Sequence, residues 1–180
     1  SGGVLSVGAL ASWVKGASDA AAEIGRLSFL SGTSAEEFQR YAAGAKVAGF
    51  EADKLADVLK DVNDKTGEYL ATGGGPLKDF FEQIAPKIGL AAEAFRGLSG
   101  PQALQLYYDS LEKANVSQAQ ATFYMEALAN DATALIPLLR DNGTEFKRIA
   151  DEAESLGLIL DDKLIRASKE FNENLDRLQG

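Results

Sequence analysis

Asp53-Lys54-Leu55-Ala56-Asp57-Val58-Leu59-Lys60-Asp61-Val62-Asn63-Asp64-Lys65 decides the fold class. Leu55, Val58, Leu59 and Val62 fall at i, i+3, i+4 and i+7, the spacing that gathers apolar side chains on one face of an α-helix. Asp57, Lys60, Asp61 and Asp64 take the wet side. The pattern predicts a helix from about Glu51 to Leu70.

The same period continues on both sides. Ser34-Ala35-Glu36-Glu37 reads as a capping box: the Ser34 hydroxyl accepts from the Glu37 amide and the Glu37 carboxylate reaches back. Phe38, Tyr41, Ala42 and Ala45 follow on one face, and Gly49 ends that helix. Upstream, Ser18 to Leu30 carries Ile24 and Leu27 at helical spacing and stops at Gly32. Downstream, Gly73-Gly74-Gly75 frees the chain, and Pro76 suits the first turn of a helix that would bury Phe80, Phe81 and Ile84. Pro86 kinks or ends it. A short helix is expected around Ala91 to Phe95. Ser99-Gly100-Pro101 starts another, with Leu104, Tyr107, Tyr108 and Leu111 inward, and Ser117 caps the next, with Phe123, Tyr124, Ala127 and Leu128 inward. Pro137 fits the first turn of Thr133 to Asp141, Asn142-Gly143 marks a break, and Phe146, Ile149, Ala150, Ala153 and Leu156 form a further stripe closed by Gly157. From Asp161-Asp162 a last helix carries Leu164, Phe171, Leu175 and Leu178, with Ser168 between them, in alternating steps of four and three. That spacing suits a short coiled-coil seam or an ordinary core-facing stripe.

With no convincing strand pattern anywhere, the chain is expected to be all-α. A compact multi-helix domain over residues 31–160 would be flanked by a partly apolar leading helix over 1–30 and an amphipathic helix over 161–180. A chain of 180 residues with 46% apolar residues can bury a core. Its net charge of −9 argues against a phosphate-neutralising surface and so against specific nucleic-acid binding. Cysteine and histidine are both absent, which removes disulfides, thiol and imidazole nucleophiles, and thiolate or imidazole metal sites. Gly2 to Val14 is apolar but lacks a basic flank and is short for a span of about 20 residues. A membrane-active role for it would need further apolar residues upstream.

Four groups of residues merit weighing as sites. Asp57, Asp61 and Asp64 share a helical face, where carboxylates can hold a hard cation. Lys54, Lys60 and Lys65 interleave with them and favour a solvated face of i,i+3 and i,i+4 pairs. Asp61 to Gly67 imitates a calcium loop, yet lysine stands where an oxygen ligand belongs. Gly73-Gly74-Gly75 could let backbone amides approach an anion, but no Gly-Lys-Ser/Thr follows and no strand precedes, so it reads as a connector or hinge. Glu36 and Glu37, or Glu152 and Glu154, are paired acids without a sugar cleft to face each other across. Tyr107-Tyr108 and Phe123-Tyr124 read as core residues with one partly exposed neighbour, Tyr108 or Tyr124, that could anchor another subunit. No catalytic, cofactor-binding or metal-binding residue is assigned.

The run Leu30-Ser-Gly-Thr-Ser-Ala-Glu-Glu-Phe-Gln-Arg-Tyr-Ala42, the Asp53–Lys65 run, the Gly73-Gly74-Gly75-Pro76 close, Leu98-Ser-Gly-Pro-Gln-Ala-Leu-Gln-Leu-Tyr107 and Ala134-Leu-Ile-Pro-Leu-Leu-Arg-Asp-Asn-Gly143 occur here in one order. Together they resemble a helical segment of tail length tape measure proteins of long-tailed bacteriophages and prophages, over roughly residues 27–160. The resemblance implies a virion structural protein, without enzymatic activity or cofactor. Such a protein is made in the bacterial host cytoplasm, ends in the tail interior, sets tail length during assembly and leaves with the DNA. Its implied partners are the tail tube protein, tail assembly chaperones, tail tip proteins and further copies of itself. Tape measure proteins are much longer than this chain, so the resemblance also implies a piece of a larger protein; the Ser1-Gly2-Gly3 start suits an excised piece, with Ser1 expected to be a cloning remnant. The alternative expectation is a helical catalytic or adaptor module, such as a segment associated with a peptidoglycan hydrolase.

Overall fold

The computed structural model describes the backbone of residues 7–179 and the side chains of residues 19–178. The helices are α1 (Val7–Leu30), α2 (Ala35–Val47), α3 (Ala52–Thr72), α4 (Gly100–Lys113), α5 (Gln118–Leu128), α6 (Ile136–Ser155) and α7 (Asp162–Gln179), with no strand among the described residues. The fold is all-α. Apolar residues 2–6 of the Gly2 to Val14 run, and the side chains of the rest of that run, lie outside the described residues. Among those described, no helix is long and apolar enough to cross a membrane.

Serine hydroxyls set three of the helix starts. Ser34, Ser99 and Ser117 are extended and accept hydrogen bonds from the amides of Glu37, Gln102 and Gln120, satisfying donors that the first turn leaves unpaired. At Ser99 and Ser117 the glutamine also accepts from the cap's own amide, which completes a capping box. At Ser34 it does not. The Glu37 carboxylate is taken instead by Thr33 Oγ1 at 2.9 Å and Ser99 Oγ at 2.8 Å, so half of the expected box is replaced by a tie between the starts of α2 and α4.

The helix expected after Pro76 is a different object. Phe80–Ile84 forms a π turn, with the Ala85 amide donating to the Phe80 carbonyl, and Ala85–Ile88 and Ala92–Phe95 are 3-10 turns. Pro86 has no N–H with which to continue an α ladder. The widened turn still buries Phe80, Phe81 and Ile84 as expected, along with Leu77.

These turns and α3, α4 and α5 enclose one core. Leu55 and Leu59 of α3, Leu104, Tyr107 and Leu111 of α4, Met125 and Leu128 of α5, and Leu135 are almost completely buried. Phe80 stacks on Tyr107 at 4.1 Å and meets Phe81 edge to face at 5.1 Å, geometries that aromatic pairs favour.

On another side of that core, α2 and α6 run antiparallel. Gly44 of α2 lets the Phe146 ring of α6 approach its backbone, and Phe146 also stacks on Tyr41 at 4.2 Å. α6 breaks as expected: Asp141, Asn142 and Gly143 are left-handed, with φ of 54°, 58° and 76°. Gln105 of α4 braces the break by donating to the Leu139 carbonyl at 2.9 Å.

α7 starts beside the end of α1 and runs back along it, the two forming a second, smaller packing unit. Ala21, Ala35 and Ile165 are its buried residues, with Ile24 and Leu160 against them. The expected seam is corrected here. Ile165, not Leu164, faces α1, because Gly25 opens a seat for it; a Cβ at Gly25 would lie 3.2 Å from Ile165 Cγ2. Leu164, Phe171 and Leu178 are 49%, 41% and 85% exposed.

Candidate functional site

The acidic row on α3 does not converge. Asp57, Asp61 and Asp64 are all exposed, Lys60 Nζ donates to Asp64 at 2.5 Å, and among the described residues no group of three acids is placed to share a metal ion. Lys54 and Lys65 leave the row altogether. Lys54 reaches Asp131 at 3.7 Å, and Lys65 donates to the Ala127 carbonyl at 3.1 Å.

Gly73 closes α3 in the left-handed conformation with φ 71°, and its amide donates to the Tyr69 carbonyl. Gly75, at φ 94°, lies over the Glu68 side chain, where a Cβ would come within 2.7 Å of the carboxyl carbon. The triplet is thus a helix stop folded against an acid, a poor cradle for an anion.

Of the paired acids, Glu37 and Glu154 serve contacts between helices, Glu152 pairs within α6, and Glu36 is exposed. Glu37 joins two helix starts, Glu154 and Asp151 both receive Arg40 from α2, and Asp151 also receives Lys147 at 2.8 Å. Glu152 lies 3.5 Å from Arg148. Lys147, the first cause, and Arg40 together hold the Asp151 carboxyl below the usual range. Arg148 likewise holds Glu145 low, by hydrogen bond first and charge second. Charged carboxylates are the opposite of the raised, protonated acid that glycoside cleavage requires.

Neither tyrosine proposed as an anchor is available. Tyr108 and Tyr124 are buried, and the exposed ring is Phe123, at 57%, which the sequence pattern places inward and which meets Tyr124 at 5.2 Å in a T-shaped arrangement. Tyr107 donates its hydroxyl to the Tyr124 carbonyl at 2.5 Å, and burial pushes its pKa far up. Burial also raises Tyr108 to about 12, with Glu112 adding to the rise and Arg140 opposing it.

Two features have no forewarning in the sequence. One is Gln39, buried in α2: its Nε2 donates to the Leu160 carbonyl at 2.8 Å and its Oε1 accepts from the Leu160 amide at 2.9 Å, pinning the chain where it enters α7. The only available signal was a polar residue beside the apolar Phe38 position. The other is an apolar groove of about 730 Å3 between α1 and α7, lined among others by Ala22, Gly25, Phe29 and Ile165. Phe29 is 84% exposed at its edge.

The fold and its surface define a helical packing unit in which, among the described residues, most ion pairs lie within single helices, and Arg40 and Lys54 form the pairs that join different elements. No protein-family model, curated protein or solved structure matches the chain.

Proposed function

We propose that the chain is a structural segment of a phage or prophage tail tape measure protein. It acts in tail length determination and tail assembly, and takes part in DNA ejection. The observation that carries this reading is the ordered set of runs from Leu30 to Gly143, which resembles that family over most of residues 27–160. An all-α build supports it, since helix gives a ruler a length fixed by residue number, at about 1.5 Å per residue. So does the use of Glu154 and Glu37 in contacts that tie α2 to α6 and α4, a structural employment for two of the candidate acids. The protein works without a cofactor, inside the tail, among tube protein, assembly chaperones, tip proteins and other copies.

Tail length is the test. In a phage whose parent gene lacks residues 31–160 in frame, electron microscopy should show tails shortened by about 200 Å if this stretch is measured as extended helix. Tails of unchanged length that fail to infect would make the stretch a dedicated ejection module. Absent tails would place its role in assembly. Normal tails with full infectivity would refute the proposal.

A further inference from the structure

Between its two halves, α6 makes a short turn of left-handed helix. Arg140 is extended at φ −57° and ψ 153°, and Asp141, Asn142 and Gly143 then stand at φ/ψ of 54°/46°, 58°/34° and 76°/23°. In this region the Cβ of an L-residue crowds the following carbonyl, so chains enter it as isolated residues and not in runs. Gly143 carries none of that cost, whereas Asp141 and Asn142 carry it together. Backbone of this kind persists where its surroundings over-determine it.

Those surroundings are specific. Gln105 of α4 donates to the Leu139 carbonyl at 2.9 Å, and its Oε1 occupies the space that the missing side chain of Gly143 leaves free. Asp109 holds Gln105 in turn, accepting from the same Nε2 at 2.7 Å. Thr144 Oγ1 donates to the Asp141 carbonyl at 2.6 Å. Beyond the turn, Phe146 in its seat on Gly44 and the Arg40 pairs with Asp151 and Glu154 fasten the second half of α6 to α2. The sequence nevertheless keeps helical phase through the break. Leu139, Asn142, Phe146, Ile149, Ala153 and Leu156 follow one another in alternating steps of three and four, with Asn142 the one polar member. Two helices that merely meet at a loop need not share a stripe, whereas a right-handed helix run through residues 136–156 would carry this one along a single face.

We propose that residues 141–143 are a strained joint with two settings. In the compact one, the left-handed turn lays the second half of α6 on α2. In the other, residues 141–143 take right-handed values, α6 runs straight from Ile136 to Ser155, and residues 144–155 leave α2 as intact helix. Relief of two left-handed residues favours the straight setting, burial of Phe146 and the Arg40 pairs favour the compact one, and Gln105 is the latch. The lever from Thr144 to Ser155 is about 17 Å long. The five residues from there to Leu160 reach about 17 Å when extended, so the swing leaves the Gln39 clamp on Leu160 in place. The joint stands independently of the tape measure reading; under that reading it is the place where the compact segment would begin to extend into continuous helix.

The chain has no cysteine, so spin labels can be placed on Glu36→Cys of α2 and Ser155→Cys, both exposed positions. Pulsed electron paramagnetic resonance on the full chain should give one short separation. Added to the labelled pair, D141A/N142A makes the left-handed turn costlier and the right-handed one easier, and should produce a second separation longer by on the order of 10 Å. Gln105→Ala, which releases the latch, should produce the same one. Hydrogen exchange over residues 147–155 should stay slow in both variants, because the lever swings as helix. D141G/N142G, which removes the strain, should keep the short separation alone and raise the folded-to-unfolded ratio in urea by about threefold. A single short separation in either D141A/N142A or Gln105→Ala would overturn the proposal, as would fast exchange over 147–155 or no gain from D141G/N142G. So would loss of the whole fold in D141A/N142A, because the strain would then be relieved by unfolding and not by a straightened helix.

Discussion

The same substitution, glycine to alanine, should have opposite effects at two helical positions of this protein. Gly67 lies in the interior of α3, exposed, with nothing within 4 Å of a Cβ placed on it. Replacing it with alanine removes backbone freedom from the unfolded chain and should stabilise the protein by about 1 kcal/mol. Gly44 in α2 carries the same helical gain, but a Cβ there would lie 2.9 Å from Phe146 Cε1 and closer still to Cδ1. That ring is buried and stacked on Tyr41, so relieving the overlap means separating α2 from α6 or tilting both rings. Overpacking of this kind costs about 1–3 kcal/mol. Set against the helical gain, Gly44→Ala should be destabilising by up to about 2 kcal/mol. The gap between the two variants should be about 1–3 kcal/mol, since it isolates the contact with Phe146. Urea unfolding followed by far-ultraviolet circular dichroism measures both, provided the slopes match wild type. Phe146→Leu in the Gly44→Ala background should recover part of the loss relative to Phe146→Leu alone, as contacting residues couple. If Gly44→Ala stabilised the protein as much as Gly67→Ala, the close packing of α2 on α6 would be refuted.

Two further outcomes follow from the ties between helices. Gln39→Ala leaves the Leu160 amide and carbonyl without their partner at about 1–3 kcal/mol, and hydrogen exchange should quicken by tenfold or more over residues 160–175 while α3 and α4 amides stay unchanged; equal quickening in the core would mean that the α7 end does not open separately. The Asp151 carboxyl is depressed in the folded chain, so its contribution is present above the unfolded value of about 3.9 and is lost as pH falls through the lower folded value. Arg40→Ala should move its titration upward toward the ordinary value in carboxyl NMR, with Lys147 retaining part of the shift, and an unmoved titration would remove Arg40 from the pair.

How much of this was legible in the sequence depends on whether a residue's environment is built locally. The α3 stripe and the serine caps are local: Leu55, Val58, Leu59 and Val62 face the core because a helix turns every 3.6 residues, and Ser99 and Ser117 find their glutamines three residues on. Pro86 is half legible, because a missing N–H announces an interruption without saying whether the chain kinks, stops or widens into a π turn. Glu37 reads as a capping-box partner because one of the two hydroxyls it accepts from, Ser99, is 62 residues away and invisible to local pattern. α7 shows the limit most clearly. The expected seam runs Leu164, Ser168, Phe171, Leu175 and Leu178, whereas the row turned inward is Ile165, Ser168, Asn172 and Leu175, so the two share Ser168 and Leu175 and differ by a rotation of the helix. The seam holds four large apolar residues and the inward row two, so apolar content alone favours the seam. What decides against it is Gly25 on α1, whose missing side chain admits Ile165, together with Gln39, which fixes where α7 begins. Among the described residues, one buried isoleucine and the Gln39 clamp anchor α7, so which row it leaves exposed is a property of its pairing with α1.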